Sequence, residues 1–214
     1  MATTSHPPPA PAPPSGPSGT VVVVGERYCA PYTVDLTVTE KAISVTDGYY
    51  TVTDINGIIV FKVKGVFLSF HGRRILLDAD GNPLLTMQHK VLSMHYRWLV
   101  YRGESTKEED LLFTVKKSSV WRIKTELDVF LASNTSQQQC DFKVKGSFHE
   151  RSCTIFLGDS NILIARMNRE YTVKNIVLGK DAFGVTIYPR VDYAFIIALI
   201  VLLDEVNESR SASG

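Results

Sequence analysis

Basic residues alternate with apolar ones at several points in this 214-residue sequence. FKVK at 61–64 is the clearest example, and WRIK at 121–124 and FKVK at 142–145 repeat it. In a β-strand, this alternation sends the cations to one face and the apolar side chains to the other. Outward cations could bind lipid phosphates, each contributing about 1 kcal/mol near an anionic leaflet. The candidate residues are Lys62, Lys64, Lys116, Lys117, Arg122 and Lys124.

The same cations have an interpretation that needs no ligand. The outer face of a sheet must be polar, and lysine discourages pairing between exposed strands of different molecules. Arg73–Arg74 and Lys116–Lys117 raise the local density, but no run of four to eight contiguous cations is present. A polybasic lipid-binding segment would show such a run. The sequence leaves both interpretations open.

The residue types that usually carry catalysis show no catalytic spacing. HExxH, GxSxG, P-loop and GxGxxG motifs are missing, and none of the five histidines has metal-ligand spacing. Cys29, Cys140 and Cys153 lack CxxC spacing, which favours a reducing compartment and predicts neither disulfides nor a zinc site. We therefore expect a non-enzymatic protein without a cofactor.

The middle of the chain has the pattern of a mainly β protein. Tyr49–Thr53 and Ile58–Val63 flank an Asn-Gly turn, and Ile75–Leu77 and Leu84–Met87 form a second predicted hairpin. The polar stretch 103–110 could be a loop or one helical turn. About a dozen strands at this spacing indicate a sandwich or a barrel. The other strand-like stretches are 98–101, 111–116, 121–125, 127–131, 141–145, 153–157, 162–167, 173–178 and 183–188.

An internal repeat divides these strands into two sets. FKVKG occurs at 61–65 and again at 142–146, and a hairpin pattern follows each copy. We interpret the copies as two related halves of one closed sheet. Chance similarity is the alternative, because β-rich segments draw on few residue types.

The apolar run YAFIIALIVLL at 193–203 resembles a membrane segment but is too short to be one. As a helix it would be about 16 Å long, whereas a bilayer core is about 30 Å thick. A helix that is apolar on every face is buried on every face. We therefore predict a helix over about 191–206 inside the barrel, with Asp192 as its N-terminal cap and with Asp204 and Glu205 marking its exit into solvent. Its core residues are Tyr193, Phe195, Ile196, Ile200 and Leu203.

The ends of the chain differ in composition from the middle. Residues 1–19 hold seven of the ten prolines and no charged residue, which predicts a disordered, partly polyproline-II tail. We expect one domain over 20–207 and a disordered end over 208–214. No secretory signal is recognisable, so we expect a cytoplasmic protein, with membrane association or nuclear entry left open. The near-neutral net charge of +1 excludes a general polyanion binder and gives no nucleic-acid signature.

Four stretches of the sequence contain unusual residue combinations: YCAPY at 28–32, SVTDGYYTVTDINGIIVFKVKG at 44–65, DFKVKGSFHERSCTIFLGDS at 141–160 and KDAFGVTIYPRVDYAFIIALIVLLDEVN at 180–207. Together they resemble the plant LURP-one-related family over about residues 21–207. This resemblance implies a twelve-stranded tubby-like barrel around a C-terminal helix. It also implies kinship with tubby domains, which bind phosphoinositides and act as membrane-tethered transcription regulators, and some family members are linked to pathogen defence.

The last stretch also resembles the calcium-responsive C-terminal segment of phospholipid scramblases. Asp181 and Asp192 are the corresponding carboxylates here, but Lys180 and Arg190 lie beside them. Ca²⁺ takes six to eight oxygen ligands, several of them from carboxylates, so these two residues are weak candidates and we expect no metal site.

Three functions follow from these observations. The leading hypothesis is a tubby-like regulatory or adaptor protein of plant cells, tethered to phosphoinositide membranes and linked to defence signalling or transcription. The alternative is a protein-interaction module that uses residues 1–19 or a barrel face. The remote alternative is a scramblase-type lipid transporter, which would need the 193–203 helix to enter a membrane.

Overall fold

The computed structural model describes residues 16–40, 50–65, 72–90, 97–118, 125–147, 152–168 and 182–211. Within these ranges the chain forms twelve β-strands and one α-helix. The elements are β1 (Val34–Glu40), β2 (Tyr50–Thr53), β3 (Ile59–Gly65), β4 (Arg74–Asp78), β5 (Pro83–His89), β6 (Arg97–Arg102), β7 (Leu111–Lys117), β8 (Thr125–Leu131), β9 (Phe142–Ser147), β10 (Ser152–Leu157), β11 (Leu163–Asn168), β12 (Ala182–Ile187) and α1 (Tyr193–Ser211).

The strands form one closed antiparallel barrel. Each strand pairs with its neighbours in sequence, and β1 pairs with β12 to complete the ring. This arrangement confirms the predicted mainly β, twelve-stranded barrel. All odd-numbered strands therefore run in one direction. We call the mouth where they begin the cap end and the mouth where they finish the exit end.

The helix α1 fills the interior of the barrel. Every side chain from Ala194 to Leu203 is at most 1% exposed. The ring of Phe195 packs edge-on against Phe113, with 5.1 Å between centroids, and lies 4.8 Å from the ring of Phe142. The prediction of a buried C-terminal helix is confirmed, although Tyr193 at its first turn is only half-buried.

Asp192 starts the helix at the cap end. Its Oδ1 accepts a hydrogen bond from the backbone N–H of Phe195 at 3.1 Å, as an N-cap side chain does. Its own backbone N–H donates to the carbonyl of Val21 at 3.0 Å, and Val21 pairs with Val191 in an isolated parallel bridge. The segment that precedes β1 thus lies against the start of the helix.

The predicted exit of the helix into solvent after Leu203 is wrong. Asp204 is only 5% exposed, and its carboxylate accepts a hydrogen bond from the hydroxyl of Tyr50. Glu205 pairs with Arg74, with Nε and Oε1 2.5 Å apart. Residues at the starts of β2 and β4 therefore satisfy these carboxylates, and the helix continues beyond them to Ser211. It passes the predicted helix end near 206 and the predicted domain boundary at 207.

The strand predictions differ from the structure in a few places. β1 was not predicted, and β8 runs unbroken from Thr125 to Leu131, where the pattern suggested two strands over 121–125 and 127–131. Much of the first of these, and all of the predicted strand 173–178, lie outside the described residues. The stretch 103–110 contains a short 3₁₀ turn, Glu108–Asp110.

The two FKVKG copies occupy corresponding positions in the barrel. The first lies in β3 and the second in β9, six strands further along the ring. Gly146 shows why the second copy ends in glycine: its φ is +147°, and a Cβ there would lie 2.3 Å from the carbonyl oxygen of Ser152. These positions fit two related halves.

Candidate phosphate-binding site

Cations lie around the exit end of the barrel. Lys64, Lys117 and Lys145 come at or near the ends of β3, β7 and β9, and these odd-numbered strands all finish at that mouth. Arg74 and Arg97 begin β4 and β6 at the same mouth. Strand direction therefore brings together cations that are far apart in the sequence.

The residues Lys64 and Lys145 are equivalent in the internal repeat, and both are exposed. Alternation along the strand makes each lysine point outward, because the residues that alternate with it, such as Phe61 and Val63 in β3, point into the core. The Nζ of Lys145 lies 5.4 Å from the ring centroid of Phe156, which supports its stem while leaving the residue exposed. These two residues form an outward pair on opposite sides of the ring.

Two other predicted residues, Lys62 and Lys116, already have contacts within the protein and are therefore less available to bind phosphate. The Nζ of Lys62 donates to the carbonyl of Ala79 at 3.1 Å, which directs it toward the β4–β5 turn. The Nζ of Lys116 lies 4.6 Å from the ring centroid of Phe130. Burial, assisted by the neighbouring charge of Arg97, lowers the pKa of Lys116 from its ordinary value.

The six predicted residues do not form one cluster in the described structure. Lys62 and Lys64 lie on β3, whereas Lys116 and Lys117 lie on β7, and three strands separate the two pairs. Arg122 and Lys124 lie outside the described residues. The site is therefore better described as a rim of cations at the exit end than as a compact pocket.

Lys143, the repeat equivalent of Lys62, serves the structure of the barrel wall. It pairs with Asp128 at 3.5 Å and also with Asp159. The hydrogen bond to Asp159 raises the pKa of Lys143 from its ordinary value. Lys145 was outside the predicted candidate set, although the second FKVKG copy was a signal that could have identified it.

Asp192 has the partners of a structural carboxylate. Its Oδ2 accepts backbone hydrogen bonds from Val23, Val24 and Gly25 at 3.1, 2.6 and 3.0 Å. The side chain is 0% exposed, and amide donors occupy the oxygens that a cation would need. The other weak calcium candidate, Asp181, lies outside the described residues. Within the described ranges, no group of three or more His, Cys, Asp or Glu side chains could hold a metal ion.

The cap end carries an apolar groove of about 650 Å³. It lies between the start of β1 and the β2–β3 turn, and Tyr32 and Ile55 are among the residues that line it. Tyr32 is 67% exposed and Ile55 is 50% exposed. This groove was not predicted from the sequence, because it depends on the pairing of β1 with β2, which brings the segment before β1 beside the β2–β3 turn.

The class of protein that this structure defines is a closed antiparallel barrel built around its own C-terminal helix. The model of the LURP-one-related family matches residues 34–204. The chain belongs to the LURP-one-related family, which confirms the resemblance in its sequence.

Relatives from Arabidopsis thaliana match nearly the whole chain. Protein LURP-one-related 15 is 51% identical over 205 residues, covering 92% of this chain and 94% of that protein. Protein LURP-one-related 10 is 47% identical over 192 residues, covering 89% of this chain and 99% of that protein. An X-ray structure of an Arabidopsis thaliana protein matches with a TM-score of 0.69 and 44% identity, over 87% of this chain and 98% of the other.

Membership in this family favours a non-enzymatic regulatory protein. A search of the described residues found no helix that combines the length and hydropathy needed to cross a membrane.

Proposed function

We propose that the protein is a non-enzymatic regulatory or adaptor module that attaches reversibly to phosphoinositides at a membrane surface. The observation that carries this proposal is the outward pair Lys64 and Lys145, at equivalent positions on opposite sides of the exit end. A membrane lying across this mouth would meet both lysines at once. Attachment of this kind could hold a regulator of defence signalling or transcription at the membrane until it is released.

The expected strength of attachment is modest. Each cation near an anionic leaflet contributes about 1 kcal/mol, and the rim offers only a few of them. Carboxylates at this mouth oppose them: Glu126 lies opposite Lys145 in the pairing of β8 with β9, Asp204 accepts a hydrogen bond from Tyr50, and Glu205 pairs with Arg74. The proposal therefore predicts binding that is reversible and sensitive to salt.

Flotation with lipid vesicles tests the proposal. The full chain is mixed with phosphatidylcholine vesicles, with or without phosphatidylinositol bisphosphate, at about 0.15 M salt. Lys64→Glu and Lys145→Glu should each weaken binding at least fivefold, as expected when about 1 kcal/mol is lost.

The matched control is Lys107→Glu, because Lys107 has a 75% exposed side chain and lies between β6 and β7 at the cap end. This variant makes the same change of charge away from the rim, so it should bind nearly as the unmodified chain does. Flotation no greater than with phosphatidylcholine alone, or equal losses in all three variants, would remove the phosphoinositide proposal.

A protein-interaction module is the second candidate function, and the apolar groove at the cap end favours it. Exposed large apolar side chains that line a groove commonly mark an interaction site. The scramblase-type alternative has weaker support, because α1 would have to leave the barrel and expose the side chains from Ala194 to Leu203, which are now buried.

A further inference from the structure

The cap-end groove continues into a wider apolar surface. Beside Tyr32 and Ile55, Ile58 in the β2–β3 turn is 64% exposed, and Ile59 at the start of β3 is 39% exposed. Such a surface costs free energy while it is in contact with water.

The wall of the groove includes an unpaired length of strand. β1 pairs with β2 from Thr37 onward, where Thr37 faces Thr53. Val34, Asp35 and Leu36 pair with β12 on their other side and line the groove. An extended segment could therefore lie along this part of β1.

The charged residues of the groove favour an uncharged occupant. The guanidinium of Arg27 lies 4.8 Å from the ring centroid of Tyr28. Oδ1 of Asp54 accepts the backbone N–H groups of Asn56 and Ile58 at 2.8 and 2.9 Å. Both charges are engaged by groups of the same chain, so apart from Asp35 the surface available for binding is mainly aromatic and aliphatic.

One acceptor in the groove lacks a donor. Oδ1 of Asp35 is shielded from solvent and has no hydrogen-bond partner among the described residues. A shielded oxygen without a partner costs free energy, so an occupant that brings an N–H group would be favoured.

The N-terminal part of the chain begins close to the groove. The described structure starts at Gly16, where a Cβ would lie 3.5 Å from the Cβ of Tyr188. Tyr188 follows Ile187, which pairs with Val34 in the groove wall. The distance from β12, beside which Gly16 lies, to β1 in the groove wall is therefore about one strand spacing, roughly 4.8 Å. In polyproline II, residues 1–15 could reach about 45 Å, at 3.1 Å per residue.

We propose that residues 7–14, PPPAPAPP, dock into the cap-end groove as a polyproline-II segment of the same chain. The segment carries no charge, and aromatic-lined grooves bind proline-rich segments in this conformation. Its prolines pack on Tyr32 and Ile55. Ala10 and Ala12 have the only backbone N–H groups within PPPAPAPP, and either suits Asp35 as a donor. This inference concerns the cap end and does not rest on phosphoinositide binding at the exit end.

Paramagnetic relaxation in the full-length chain tests the docking. A nitroxide is attached at Ser5→Cys, beside the proline-rich segment, and amide signals are compared in the oxidised and reduced states of the label. The amides of Tyr32 and Ile55 should be broadened severalfold more than that of Ile162. Ile162 is a suitable reference because it is 36% exposed on the β10–β11 turn at the same mouth.

Tyr32→Ser should remove most of this selective broadening, whereas Ile162→Ser should leave it unchanged. Both residues are exposed, so neither substitution should prevent folding. Equal broadening at the groove and at Ile162, or no effect of Tyr32→Ser, would overturn the proposal. Broadening that passes from a labelled copy to a separate isotope-labelled copy would assign the groove to a second molecule and would also overturn it.

Discussion

At the scale of single residues, Asp192 joins the start of the helix to the segment that precedes the barrel. Four backbone N–H groups donate to its carboxylate, from Val23, Val24, Gly25 and Phe195. The bond to Phe195 was predictable, because an aspartate beside an apolar helix is a common N-cap. The other three bonds were not predictable, because their donors lie 167 to 169 residues away in the sequence.

Asp192→Ala should destabilise the fold strongly. It would leave buried amides without acceptors and remove the helix cap, for a total of about 3–5 kcal/mol. Denaturant unfolding measures this loss. Asp54→Ala is the matched control, because Asp54 also accepts two backbone N–H groups but does so in an exposed turn, and it should cost about 1 kcal/mol or less. Equal losses in the two variants would contradict the role given to Asp192.

The cysteine thiols should react slowly. Burial raises the pKa of Cys29 and of Cys140 to about 11, and that of Cys153 to about 12. A raised pKa keeps a thiol protonated, and the thiolate is the reactive form. At pH 8, the thiolate fraction of Cys29 and Cys140 should make their alkylation about 200-fold slower than that of a peptide thiol with a pKa near 8.5. Mass spectrometry of labelling against time measures these rates, and both should rise when the experiment is repeated at pH 10. Labelling at pH 8 as fast as that of the peptide thiol would contradict the prediction.

At the scale of elements, the sequence predicted where most described strands lie but not where every element ends. The Asn-Gly hairpin appears as β2 and β3, because its turn type is set by two adjacent residues. β1 lacked such a local signal. The helix end was predicted wrongly because the polarity of Asp204 and Glu205 suggested solvent, whereas Tyr50 and Arg74 supply partners for them from distant strands.

Ile200→Asp should prevent folding of the barrel. Ile200 is 1% exposed in the middle of α1, and an unpaired carboxylate there has no compensating partner. Ile162→Asp is the control, because Ile162 is 36% exposed and should tolerate the same charge. Thermal unfolding followed by circular dichroism is the measurement. An Ile200→Asp chain that melts cooperatively near the temperature of the unmodified protein would contradict the buried-helix model.

At the scale of the whole molecule, barrel closure decides which cations act together. The alternating pattern predicted outward lysines, and Lys64 does face outward. The sequence could not show whether Lys62 and Lys116 lie close together, because their separation depends on the number of strands between them in the barrel. The outward pair Lys64 and Lys145 emerges only when two strands that lie six apart in the ring finish at the same mouth.

We propose that α1 stays inside the barrel while the exit-end cations contact the membrane. Amide hydrogen exchange of the full chain, with and without phosphatidylinositol bisphosphate vesicles, tests both parts of this claim in one measurement. We expect residues 194–203 to remain protected in both states, and we expect exchange to slow near Lys64 and Lys145 when vesicles are added. Faster exchange in α1 on adding vesicles, with no change near the two lysines, would contradict it.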